Sequence, residues 1–66
     1  MTTTLKELKL GEYFTLKDIE NPTENQVYIR GEYYRTEKKY SYYKFNDTNA
    51  EKFAPGTKEV FVGFTF

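Results

Sequence analysis

Val27-Tyr28-Ile29-Arg30-Gly31-Glu32-Tyr33-Tyr34-Arg35 and, after Thr36-Glu37-Lys38-Lys39, Tyr40-Ser41-Tyr42-Tyr43-Lys44-Phe45 form the stretch that decides the fold. Both runs are rich in β-branched and aromatic residues, and the break between them is polar. They read as two antiparallel strands, 27–35 and 40–45, joined by a turn at 36–39. Alternate side chains of a strand point to opposite faces, so the pairing register decides which residues meet. Pairing Tyr34 with Tyr40 sets Ile29 opposite Phe45 and Tyr33 opposite Ser41. Val27, Ile29, Gly31, Tyr33, Tyr43 and Phe45 then share the face expected to point inward. A slip of one residue would put Lys44 among Val27 and Ile29, and a buried unpaired charge is costly. The outer face is then expected to carry Tyr28, Arg30, Glu32, Tyr34, Tyr40, Tyr42 and Lys44.

The flanks fit a β domain. Residues 12–18 alternate, with Phe14 and Leu16 on one side and Tyr13, Thr15 and Lys17 on the other, as in a strand with one wet face. Before them, Thr4-Leu5-Lys6-Glu7 has capping-box spacing. Leu5 and Leu8 share a side of the helical turn this predicts, and Gly11 can end it in a left-handed conformation. The two leucines are expected to plug one end of the sheet. Residues 19–26, around Asn21-Pro22, read as a loop. Residues 46–58 read as a long connection, with a helical turn over 48–53 anchored by Phe53 and a turn at Pro55-Gly56. In the last strand, 59–66, Val60, Val62, Phe64 and Phe66 line one face and are read as core, while Phe61, Gly63 and Thr65 line the other. The expected fold is all-β. It is a small, strongly twisted antiparallel sheet or a partly open SH3-like or OB-like barrel of 4–5 strands, with one short N-terminal helical turn.

Composition bounds the rest. The chain has 66 residues, enough for a single domain, 1–66. A domain of this size buries only about 60% of its unfolded surface. It has no cysteine or histidine for a disulfide or a conventional zinc site. Its 7 Tyr and 6 Phe are therefore expected to supply the core. A net charge of +0 gives no global attraction to nucleic acid or membrane. There is no 18-residue apolar run, and Met1-Thr2-Thr3-Thr4 lacks signal-peptide character, so a cytoplasmic protein is expected.

Candidate chemistry concentrates on the expected outer face. Tyr28, Arg30, Tyr34, Tyr40, Tyr42 and Lys44 combine the residue types enriched at protein–protein hot spots. Residues 28–44 also hold five basic side chains against two acidic ones. Aromatic rings beside Arg and Lys can stack single-stranded bases, which makes nucleic acid the alternative partner. Cross-strand tyrosine pairs also stabilise a sheet without any further role. Asp47-Thr48-Asn49-Ala50-Glu51 begins like a calcium loop, but Lys52 and Lys58 stand where Gly and Glu are needed. Ser41 has no partner base, and the scattered glycines form no phosphate loop, so no enzyme, cofactor or metal is expected. Val60-Phe61-Val62-Gly63-Phe64 resembles the aromatic strand of cold-shock domains, but no earlier Lys-Gly-x-Gly-Phe strand accompanies it.

One wider resemblance rests on Leu8-Lys9-Leu10-Gly11-Glu12-Tyr13-Phe14, Arg30-Gly31-Glu32-Tyr33, Arg35-Thr36, Lys39-Tyr40-Ser41, Lys44-Phe45-Asn46-Asp47 and Val60-Phe61-Val62-Gly63-Phe64. With these, residues 5–66 resemble short β-rich proteins of gut bacteria and their phages or mobile elements, a group with no established activity. The resemblance implies a compact β domain and a mobile-element origin, and it carries over no functional residue. The chain is expected to be a non-catalytic module that contacts another protein or itself.

Overall fold

The computed structural model describes residues 1–66. Six strands form one antiparallel sheet that is not closed into a barrel: β1 (Thr2–Thr4), β2 (Tyr13–Thr15), β3 (Val27–Tyr34), β4 (Lys39–Lys44), β5 (Asp47–Ala54) and β6 (Glu59–Phe61). Their spatial order is β1-β6-β2-β3-β4-β5. The all-β expectation holds, with more strands than the sequence indicated. β1 and β5 were not anticipated, and residues 47–54 are strand where a helical turn was expected. A two-residue turn at Phe45-Asn46 connects β4 to β5, opposite Lys44–Asp47. The β4–β5 ladder then breaks between Tyr42 and Lys44, and Thr48–Glu51 fill the longer side of the irregularity. An irregular edge of this kind resists pairing with other chains.

The N-terminal turn forms as a 3-10 turn over Leu5–Glu7, with Leu5 and Leu8 buried as a plug. It is held through the backbone: Leu5 and Lys6 N–H donate to the Lys58 and Gly56 carbonyls, each at 3.0 Å. Thr4 Oγ1 meets Glu7 Oε1 at 3.0 Å, but no side chain caps the turn. The reciprocal capping box occurs instead at Thr23 and Gln26, which close a second 3-10 turn just before β3. Gly11 adopts φ 85, the left-handed conformation its position predicted.

The β3–β4 pairing corrects the expected register. Tyr28 faces Lys44, Ile29 faces Tyr43 and Arg30 faces Tyr42; beyond a bulge, Tyr33 faces Tyr40 and Tyr34 faces Lys39. Upstream of the bulge the ladder lies two residues from the expected one, so the division into two faces survives. At the bulge β3 spends one extra residue, around Gly31-Glu32, and the division reverses. Tyr33 joins the side of Tyr40, and Tyr34 crosses to the side of Ser41 and Phe53.

Which face is inside is also inverted. Phe14 pairs with Tyr28, and Leu5, Leu8, Phe14, Tyr42, Ala54 and Val60 form the core with Tyr28 and Tyr40 packed against it. Phe14, Tyr28 and Tyr42 make a ring triangle with centroid separations of 5.9, 5.7 and 5.6 Å. The opposite face is half-covered: Val27 and Thr15 are buried there, while Ile29, Tyr43 and Phe45 are half-exposed. Tyrosine rings win the inner position because each carries more burial area than Val or Ile. Lys44 lies half-buried beside Tyr28 at the strand end, where its long stem lets the ammonium reach water.

The last strand is also shorter than expected. Val60 is core, Val62 and Phe64 are half-buried, and Phe66 is 50% exposed on the outer side. Phe53 is likewise 51% exposed and anchors nothing inside.

The β3–β4 turn ends on Lys38 at φ 57, where a β-carbon is strained. Lys38→Gly is expected to raise stability by about 0.5–1 kcal/mol, or about 3–6 °C in the thermal midpoint. Lys38→Val should lower it. Thermal denaturation followed by circular dichroism checks both signs.

Candidate functional site

The six residues anticipated as one surface are divided by the sheet. Tyr42 is 8% exposed in the core, and Tyr28 is half-buried on Phe14. Arg30 lies half-buried with its guanidinium carbon 4.5 Å from the Tyr40 ring centroid, and it donates from Nη1 to the Gly31 carbonyl at 2.9 Å. Tyr40 is clasped on another side by Tyr33, with centroids 4.6 Å apart. Tyr28, Arg30, Tyr40, Tyr42 and Lys44 therefore lie on the core side, and Tyr34 alone is on the other. The common solvent-facing surface expected from the sequence does not form. Ser41, the single serine, is 2% exposed and packs against Gly31.

Burial pushes the Tyr42 phenol above its ordinary value, and nearby Tyr28 adds to the effect. The neutral phenol is thus favoured in the folded chain. Its contribution to stability is complete below the unfolded value of 10.0 and is lost as pH rises through the higher folded value. The denaturant midpoint is expected to fall as the pH rises past 10.0, and Tyr42→Phe should remove part of that fall. Equal slopes in the two proteins would show that Tyr42 is not responsible.

Four exposed rings lie on the outer face, and a fifth, Tyr33 at 46%, lies on the core side against Tyr40. At one end, Tyr13, Phe45 and Phe66 form a second triangle, edge to face, with centroids 5.5, 6.0 and 5.0 Å apart. Tyr13 is 42% exposed. The tail that carries Phe66 is tied down by the Thr65 N–H, which donates to the Glu20 carbonyl at 3.0 Å. An open groove runs beside this triangle past Val62, Gly63 and Phe64.

At the other end Tyr34 and Phe53 stand 5.4 Å apart at 68°. With Glu37 and Lys39 they line an open notch of about 340 Å³. The Tyr34 hydroxyl reaches Glu51 Oε2 at 3.4 Å, a long contact. The charge of Glu51 is the main cause of a raised Tyr34 phenol; partial burial and the Glu51 hydrogen bond add to it, as do Glu32 and Glu37. Tyr43 and Ile29 lie between the two ends on the same face, in register with Tyr13.

Phe53 and Phe66 carry no sequence signal as surface residues, because both look like core by residue type. Their exposure follows from an edge strand and a terminal segment that only the tertiary pairing defines. No protein-family model, curated protein or solved structure gives a significant match to the chain.

Proposed function

We propose that the chain is a small non-catalytic interaction module whose outer aromatic face is covered by another protein or by a second copy. The observation that carries this reading is the exposure of four rings on one face: Tyr13 at 42%, Phe66 at 50%, Tyr34 at 39% and Phe53 at 51%. Together they offer roughly 300–400 Å² of aromatic surface, divided between the two ends of the face with half-buried Tyr43 and Ile29 between them. That is below the roughly 800 Å² per partner of a standard interface, so a weak or transient contact is favoured. The alternative, stacking of single-stranded bases, relied on Tyr28, Tyr40 and Tyr42 as an open platform beside Arg30 and Lys44. With Tyr42 in the core and Arg30 against Tyr40, it loses its support.

A photo-crosslinking phenylalanine analogue tests the reading in cells that express the chain. Placed at position 53 or 66 it is expected to give discrete protein adducts. Placed at Lys52, which shares the face of Tyr42, it should give none. Absence of adducts from both outer positions, or equal adducts from the two faces, rejects the proposal.

A further inference from the structure

Resting on that interaction reading, we infer that the notch between Tyr34 and Phe53 receives a lysine or arginine side chain from the partner protein. Two ring walls 68° apart leave an open corner of about 340 Å³. This is wide enough for the flat guanidinium or the slim stem of a basic residue, and aromatic faces attract such cations. Charge points the same way. Glu37 lines the notch, and Glu51 sits at its rim, touching the Tyr34 hydroxyl at 3.4 Å. Glu32 acts on the same hydroxyl, so three carboxylates bear on it.

An arriving cation would find a carboxylate partner and two rings in one place. An anion would meet Glu51 and Glu37 first. Lys39 also lines the notch, but it is exposed on a flexible stem and can swing outward. The chain already makes this contact internally: on the opposite face Arg30 lies 4.5 Å from the Tyr40 ring centroid. The notch offers the same pairing to a side chain from outside. It also distinguishes the two ends of the outer face, since the Tyr13–Phe45–Phe66 end is built from three rings. The notch therefore sets the chemistry of one partner position, and the three-ring end adds apolar area.

Titration of the ¹⁵N-labelled full chain tests this with an acetylated, amidated Gly-Arg-Gly-Arg-Gly peptide followed by nuclear magnetic resonance. Saturable shifts are expected at Tyr34, Glu51 and Phe53. The same peptide with citrulline for arginine should bind roughly fivefold more weakly or worse. Phe53→Ala and Glu51→Gln should each reduce the response without changing the thermal midpoint appreciably. Equal shifts with citrulline, shifts centred on Tyr13 and Phe66, or no shift would overturn the inference. So would saturable binding of an oligothymidylate at the notch. A concentration-dependent dimer that Phe53→Ala dissolves would also overturn it, by assigning the notch to a second copy. If adducts persist from position 53 while the arginine peptide fails, the interaction reading stands and only the cation assignment falls. If neither outer position forms adducts, the reading beneath it fails instead.

Discussion

Phe14→Ala is expected to remove about half or more of the chain's folding stability at 25 °C. Phe14 has no exposed surface, and its ring packs against both Tyr28 and Tyr42. Truncating a buried Phe typically costs about 3–5 kcal/mol, as lost transfer energy plus the cavity left behind. At about 0.05–0.15 kcal/mol per residue, a chain of this length holds about 3–10 kcal/mol in all. No cross-link restrains the unfolded state, since cysteine is absent. The informative comparison is Tyr13→Ala, one residue away on the outer face and 42% exposed. It should cost much less, because its ring already meets water and its two ring neighbours can close over the gap. Urea denaturation read by far-ultraviolet circular dichroism separates the two. A folded Phe14→Ala beside an unfolded Tyr13→Ala would mean that the inside and outside of the sheet had been exchanged.

That exchange is the step at which the sequence misleads. The alternation of residues 12–18 placed Phe14 and Leu16 on one side, and the structure buries Phe14 and packs Leu16 on the core. The alternation of the hairpin also divided its residues correctly upstream of the bulge. Nothing within the hairpin states which half is covered, because Val27 and Ile29 compete with Tyr28 and Tyr42 on nearly equal terms. The decision is non-local. Phe14 lies opposite Tyr28, and the leucine plug lies on Phe14's side, so Tyr28 and Tyr42 follow them inward. β5 was illegible for a related reason. An edge strand exposed on most of its length needs no hydrophobic alternation, and Asp47-Thr48-Asn49-Ala50-Glu51-Lys52 has none.

The candidate site was legible in type and not in place. Tyrosine and basic side chains beside one another do occur, as Arg30 on Tyr40, but as an internal contact. Of the six residues expected at the surface, Tyr34 alone belongs to the outer face, and it gets there through the bulge at Gly31-Glu32. One inserted residue reverses every side chain beyond it, so no argument from a regular ladder could have reached Tyr34's real neighbour, Phe53.

Gly56→Ala is the second large effect expected, and it tests the joint between the N-terminal plug and the sheet. Gly56 does not have a positive φ, so conformational freedom is not what its position requires. Space is: a β-carbon there would lie 2.8 Å from Lys6 Cβ and 2.8 Å from Tyr40 Cε1. Neither neighbour can yield easily. Lys6 Cβ is fixed by the backbone of a turn whose flanking Leu5 and Leu8 are buried, and the Lys6 N–H is bonded to the Gly56 carbonyl. The Tyr40 ring is held by Arg30 and Tyr33. Overpacking of this kind costs about 1–3 kcal/mol, reduced by the 0.4–1 kcal/mol or so that alanine gains by restricting the unfolded chain. The thermal midpoint is expected to fall by about 5–15 °C. Tyr40→Ser removes one of the two clashing atoms, so the double variant should recover part of the loss, with a coupling of about 0.5 kcal/mol or more. Strict additivity of the two substitutions would show that the turn does not rest on Tyr40 and that the plug is seated elsewhere.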